Sequence, residues 1–135
     1  MKKILFISSV FFLFSACSGS DKVEIGNKTT MLVNPVYDGG TVVKGELITA
    51  KFVVENTGKY PLVIAEVKGS CTCTVAEKPE DPILPGKSGI IKAVVDTDRT
   101  ATGMISKSVR IVANTEPSVT EVAIKATVKS IKYLN

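Results

Sequence analysis

Val122-Ala123-Ile124-Lys125-Ala126-Thr127-Val128-Lys129 decides the fold class. Val122, Ile124, Ala126 and Val128 alternate with Ala123, Lys125, Thr127 and Lys129. A period of two places the first set on one face of a strand and the second on the other. One apolar and one wetter face describe a strand in a sheet with a single buried side. The same period recurs upstream. Ile105, Val109, Ile111 and Ala113 face one way and Ser106, Ser108 and Arg110 the other, with Lys107 interrupting the apolar side near the start. Leu47 to Asn56 carries Ile48, Ala50, Phe52 and Val54 on one side. Leu62 to Val67 and Gly89 to Val95 are more continuously apolar, which predicts central strands or bulges. Met31 to Val33 is expected at a sheet edge.

Between these runs lie Asp38-Gly39-Gly40, Asn56-Thr57-Gly58, Pro85-Gly86 and Asn114-Thr115-Glu116-Pro117. All four are turn chemistry, and Asn56 with Gly58 is expected to serve a hairpin that needs positive φ. No long helical pattern appears in the body of the chain. The expected class is all-β: an immunoglobulin-like antiparallel sandwich of about seven strands over residues 30–135. A small barrel is the alternative that the same pattern allows.

The first residues read as an address. Lys2 and Lys3 precede an apolar run, Ile4 to Phe14, broken only by Ser8 and Ser9. Ser15 and Ala16 then lead to Cys17. Charged, apolar and small segments in that order make a signal peptide, expected as a helix over residues 1–16. The run is too short for a transmembrane helix, which needs about 20 apolar residues. Phe14-Ser15-Ala16-Cys17 resembles the bacterial lipobox, whose cysteine is lipidated and becomes the new N-terminus. Phe14 departs from the aliphatic residue usual in that motif. The resemblance implies a lipidated Cys17 and a polar tether over residues 17–29. Ser18 after the cysteine, and the weakness of the following acidic cluster, favour the periplasmic face of the outer membrane. Asn27-Lys28-Thr29 fits an N-glycosylation pattern, which carries no weight in a bacterial host.

Composition narrows the function. The chain has 135 residues, enough for one domain, and is 44% hydrophobic, enough for a core. Net charge is +4, and losing Lys2 and Lys3 with the signal peptide leaves +2. Charges alternate in sign, as in Lys51/Glu55 and Glu66/Lys68, so no basic stripe for nucleic acid exists. The chain contains no histidine. That removes the usual general base and the commonest metal ligand, and with them Ser-His-Asp and Cys-His catalysis within one chain.

A family resemblance enters through a series of motifs in order. These are Tyr37-Asp38-Gly39-Gly40-Thr41-Val42, Phe52-Val53-Val54-Glu55-Asn56-Thr57-Gly58, Pro61-Leu62-Val63-Ile64, Ser70-Cys71-Thr72-Cys73-Thr74, Pro85-Gly86 and Gly103 through Asn114. The series resembles the bacterial family called domain of unknown function 1573, over roughly Val36 to Asn114. Its members are often secreted or lipid-anchored. The resemblance implies an immunoglobulin-like sandwich related to the major sperm protein type, and no particular activity. Thr72 stands where the family usually has glycine.

Cys71 and Cys73 are the constellation with chemical potential. An exported compartment is oxidising, so the pair invites a disulfide. On a regular strand, residues two apart are about 6.6 Å apart with parallel Cβ directions. A disulfide needs Cβ atoms about 3.8 Å apart, so bridging requires a bend. Thr72 is β-branched and favours extended backbone. A redox pair, a packed pair and a metal site all remain open. Zinc wants four ligands and finds two thiolates. Copper(I) accepts fewer, softer ligands, with Met31 or Met104 as additions.

Two other segments hold less. Asp81 to Ser88 ends like a phosphate-binding loop, but Asp81 replaces the leading glycine and a strand pattern follows. Asp96, Asp98 and Arg99 form a charged group too small to ligate calcium. The chain is therefore expected to be a lipid-anchored, non-catalytic binding or scaffolding module without a cofactor, with the membrane and a protein as partners. The alternative is a periplasmic thiol-redox or copper-handling protein working through Cys71 and Cys73.

Overall fold

β-Branched and aromatic side chains suit extended backbone because they pack well on a pleated surface. A computed structural model describes residues 26–133. Among the described residues, eight strands form: β1 (Met31–Val33), β2 (Val36–Val43), β3 (Leu47–Asn56), β4 (Ile64–Gly69), β5 (Thr74–Glu77), β6 (Ser88–Asp96), β7 (Gly103–Ala113) and β8 (Val119–Lys129). Single 3₁₀ turns occupy Thr97–Arg99 and Ile131–Tyr133. The expected signal helix, Cys17 and most of the tether lie outside the described residues. No helix among the described residues is long and apolar enough to cross a membrane.

The strands form two four-stranded sheets, ordered β1-β3-β6-β5 and β2-β8-β7-β4. Alternate residues of β3, β6, β7 and β8 meet between them. Phe52, Val54, Ile91, Val95, Val109, Ile111, Val122, Ile124 and Val128 are all nearly or fully buried. Fully burying an aliphatic or aromatic side chain stabilises by about 1.5–3 kcal/mol, so this layer is the main source of stability. Lys107 is half-buried on the inner side of β7, where the pattern placed its interruption.

Two turn expectations need correction, and two strands differ in detail from the pattern. Asp38-Gly39-Gly40 is not a turn. It lies inside β2 as a bulge, where the register to β8 shifts between Asp38 and Thr41. Asp38 Oδ1 accepts from the Gly40 amide, and Gly40 takes a φ of 65°. Turn and bulge share this local chemistry, so the motif alone does not separate them. β2 also runs parallel to β8, the one parallel strand pairing in an otherwise antiparallel sandwich among the described residues.

Of the two expectations for the apolar run Leu62 to Val67, the bulge is present, since the register of β4 to β7 shifts between Ile64 and Glu66, and the central strand is not. β4 starts at Ile64 and lies at a sheet edge. Leu62 is fully buried because it forms an isolated bridge to Ile83, with backbone hydrogen bonds of 2.8 and 2.9 Å in the two directions. The segment after β5 thus covers the apolar surface that a neighbouring strand would otherwise have hidden. β5 itself, four residues long, is too short to announce itself by alternation.

Finally, Asn56-Thr57-Gly58 is not a hairpin. β3 and β4 belong to different sheets, so the chain crosses between layers here. It crosses back between β4 and β5. These two crossovers frame the candidate site.

Candidate functional site

The return crossover is Ser70-Cys71-Thr72-Cys73. The Thr74 amide donates to the Cys71 carbonyl at 3.2 Å, closing a tight turn. The turn brings the two cysteine Cα atoms to 5.2 Å, and the sulfurs are bonded to each other. That separation lies within the ordinary range for disulfides. The bend that an extended pair would lack is thus present. No residue other than glycine has positive φ among the described residues, so the β-branched Thr72 turns the chain without left-handed backbone.

Both flanks of the turn are held by hydrogen bonds. The Ser70 amide donates to the Ser108 carbonyl at 2.9 Å, and the Ser108 amide donates to Ser70 Oγ at 3.2 Å. The Asp96 amide donates to the Cys73 carbonyl at 2.9 Å. Arg99 Nη1 donates to the Thr72 carbonyl at 3.1 Å from the 3₁₀ turn. Gly69 is required by close approach, because a Cβ there would lie 2.6 Å from Thr74 Cβ and 2.7 Å from Thr74 O.

The two sulfurs differ in surroundings. Cys71 is half-buried, whereas Cys73 is only 5% exposed. The Thr74 hydroxyl, itself buried, lies 3.6 Å from Cys71 Sγ and 3.8 Å from Cys73 Sγ. A bonded sulfur carries no hydrogen, so the hydroxyl is the donor in both contacts.

The outward crossover is built from a carboxamide. Asn56 is fully buried. Its Nδ2 donates to the Tyr60 carbonyl at 2.7 Å and the Ile83 carbonyl at 2.8 Å. Its Oδ1 accepts from Thr29 Oγ1 at 2.9 Å and the Gly58 amide at 3.0 Å. Its own amide donates to the Lys87 carbonyl, and its carbonyl accepts from the Gly86 amide. Every donor and acceptor is thereby matched, as burial demands. Gly58 is needed here for space, since a Cβ would sit 2.1 Å from Thr29 Oγ1. Asn114 repeats the device: Nδ2 donates to the Asn27 and Pro61 carbonyls at 2.9 Å each, and Oδ1 accepts from the Val63 amide at 2.7 Å.

The remaining candidates do not join the cysteines. Met31 lies on β1, at the edge of its sheet opposite β5, and Met104 is exposed at the start of β7. Pro85-Gly86 forms a turn with Gly86 at a φ of 73°, and strand β6 follows where a phosphate-binding loop needs a helix. Asp96 Oδ1 accepts from the Asp98 amide at 3.0 Å, capping the 3₁₀ turn. Among the described residues no three of His, Cys, Asp and Glu gather as metal ligands. Thr74, which lies against the sulfurs, and Arg99, which holds the Thr72 carbonyl, carry no mark in the sequence that sets them apart. Gly69, two residues before Cys71, is the available sign of a tight approach.

Comparison with known proteins agrees on fold. The sequence profile of a family described as "Protein of unknown function (DUF1573)" matches residues 31–128. No curated protein matches the chain. Among solved structures, a protein of unknown function from Porphyromonas gingivalis W83 aligns with a TM-score of 0.66 at 21% identity, covering 81% of this chain. The chain spans 51% of that protein, about half its length. The PapD-like domain 7 of human CEP192 aligns with a TM-score of 0.55 at 12% identity, covering 76% of this chain and 87% of that one. The Vibrio cholerae VesB protease aligns with a TM-score of 0.57 at 10% identity, covering 73% and 31%. At these identities the likeness is one of fold alone.

Proposed function

We propose that this chain, which belongs to the DUF1573 family, is a non-catalytic binding module tethered through Cys17 to the periplasmic face of a bacterial outer membrane. The observation that carries the reading is the order Lys2-Lys3, apolar run, Ser15-Ala16-Cys17, followed by a polar stretch and then a sandwich. A lipidated cysteine adds about 0.8 kcal/mol of membrane affinity for each buried CH₂, so several acyl chains hold a small domain firmly. The absence of histidine from the whole chain supports a role in binding rather than catalysis. Sandwiches bind through loops or free strand edges. The outer face of the first sheet also offers Leu32, Val53 and Ile90 as exposed apolar residues, Val53 and Ile90 directly paired.

Cys17→Ser should lose the acyl mass and leave the membrane fraction, read by fractionation and intact mass. A variant that stays with membranes without acyl mass would refute the anchor. Crosslinking in intact envelopes should capture a protein partner for the anchored chain and lose it on release.

A second reading has its own support. The Cys71–Cys73 bridge sits in a turn where Cys71 is half-buried and Cys73 is buried, so one of its two sulfur-bearing residues is partly open to solvent, which suits thiol-redox chemistry.

A further inference from the structure

We infer that the Cys71–Cys73 turn is a directional thiol–disulfide exchange site for small thiols, in which Cys71 is the sulfur attacked and Cys73 the sulfur released, with the Thr74 hydroxyl as donor to the released thiolate. The inference rests on the redox reading above and is independent of the anchor and the binding role.

Access sets the direction. Exchange requires a thiolate to approach one sulfur in line with the S–S bond. Cys71 is half-buried, whereas Cys73 is 5% exposed beside the equally sheltered Thr74. A small thiolate therefore reaches Cys71 Sγ. A new S–S bond forms there, the Cys71–Cys73 bond breaks, and its electron pair leaves on Cys73 Sγ. A second small thiolate then attacks the external sulfur of the mixed disulfide. That step releases the oxidised small disulfide and leaves the turn as a dithiol, a two-electron reduction in total. When no second thiolate arrives, Cys73 attacks Cys71 Sγ and restores the bridge.

Thr74 favours the opened state. Its hydroxyl is buried, and the partners that the structure shows for it are the two bonded sulfurs. Sulfur in a disulfide is a weak acceptor, and a poorly matched buried hydroxyl is costly. A thiolate on Cys73 gives that hydroxyl a charged acceptor in place. The strands need not move. Ser70, Cys73 and Thr72 stay tied to Ser108, Asp96 and Arg99 through backbone groups that opening leaves untouched.

The test uses the full-length chain purified in detergent, with glutathione as the small thiol. Brief exposure, acid quench, N-ethylmaleimide and fragment mass spectrometry locate each adduct, with circular dichroism run in parallel. Glutathione should appear on Cys71 and maleimide on Cys73, at least tenfold over the reverse, with the spectrum of the fold unchanged. Thr74→Val should shift the exchange equilibrium about tenfold toward the bridge, and Thr74→Ser should restore it, a pattern that a purely packing role would not give. Adducts spread equally, or placed on Cys73, would overturn the inference while leaving the redox reading intact. Equal equilibria in Thr74→Val and wild type would overturn the role of the hydroxyl. No opening short of unfolding would overturn both the inference and the redox reading.

Discussion

The chain changes sheets twice within 20 residues, and the two crossings are closed by different chemistry. From β3 to β4 the closure is the Asn56 carboxamide, buried and matched by four partners. From β4 to β5 it is a bond between Cys71 and Cys73, two residues apart. The first draws on segments distant in sequence, with Thr29 and Ile83 each 27 residues away. The second links a chain to itself across one residue. A cross-link that short constrains the unfolded chain little. A buried amide holding distant segments loses all its contacts at once when removed. The difference teaches that the weaker class of interaction should carry more of the fold here, because it ties together segments that the short covalent ring does not.

Breaking the outward crossover should have the largest effect. Asn56→Ala strands the Thr29 hydroxyl, the Gly58 amide and two carbonyls, and should cost about 3–5 kcal/mol. For a domain near 100 residues that lowers Tm by roughly 15 °C or more, read by thermal melting. Loss of only a few degrees would mean that the carboxamide merely fills space. Gly69→Ala should come next. Its Cβ meets Thr74 at 2.6 Å, and the resulting overpacking should cost about 1–3 kcal/mol while disturbing the sulfur turn locally. Smallest is the double variant Cys71→Ala with Cys73→Ala. Loop-closure entropy for a ring of about three residues gives roughly 1.5 kcal/mol, and the strands should remain. A loss as large as that of Asn56→Ala would erase the distinction between the crossings.

Much of the fold is legible in the residues alone. The alternation in β3, β7 and β8 announces a two-layer core, because a strand buried on one face must write that face at every second residue. What fails are readings that depend on distant partners. Asn56-Thr57-Gly58 carries ordinary turn chemistry, and nothing local to it reveals that the amide reaches Thr29 and Ile83. Asp38-Gly39-Gly40 is likewise compatible with a turn or a bulge until β8 is alongside. The apolar run at Leu62 is covered by Ile83 rather than by a neighbouring strand. At the cysteines, the residue types are plain and their geometry is not. The bend depends on Gly69 meeting Thr74, and on the flanking ladders to β7 and β6. Thr74 becomes visible as a sulfur contact only once that turn has closed.

Thermal melting of the same wild-type protein, oxidised and then fully reduced and alkylated, tests most directly whether the second crossing stands without its sulfur bond. The two forms should melt cooperatively within roughly 10 °C of each other, since the bridge contributes about 1.5 kcal/mol through loop closure. Their spectra below the transition should coincide. Loss of the cooperative transition on reduction would contradict this, because the sulfur bond would then be what holds the second crossing in place.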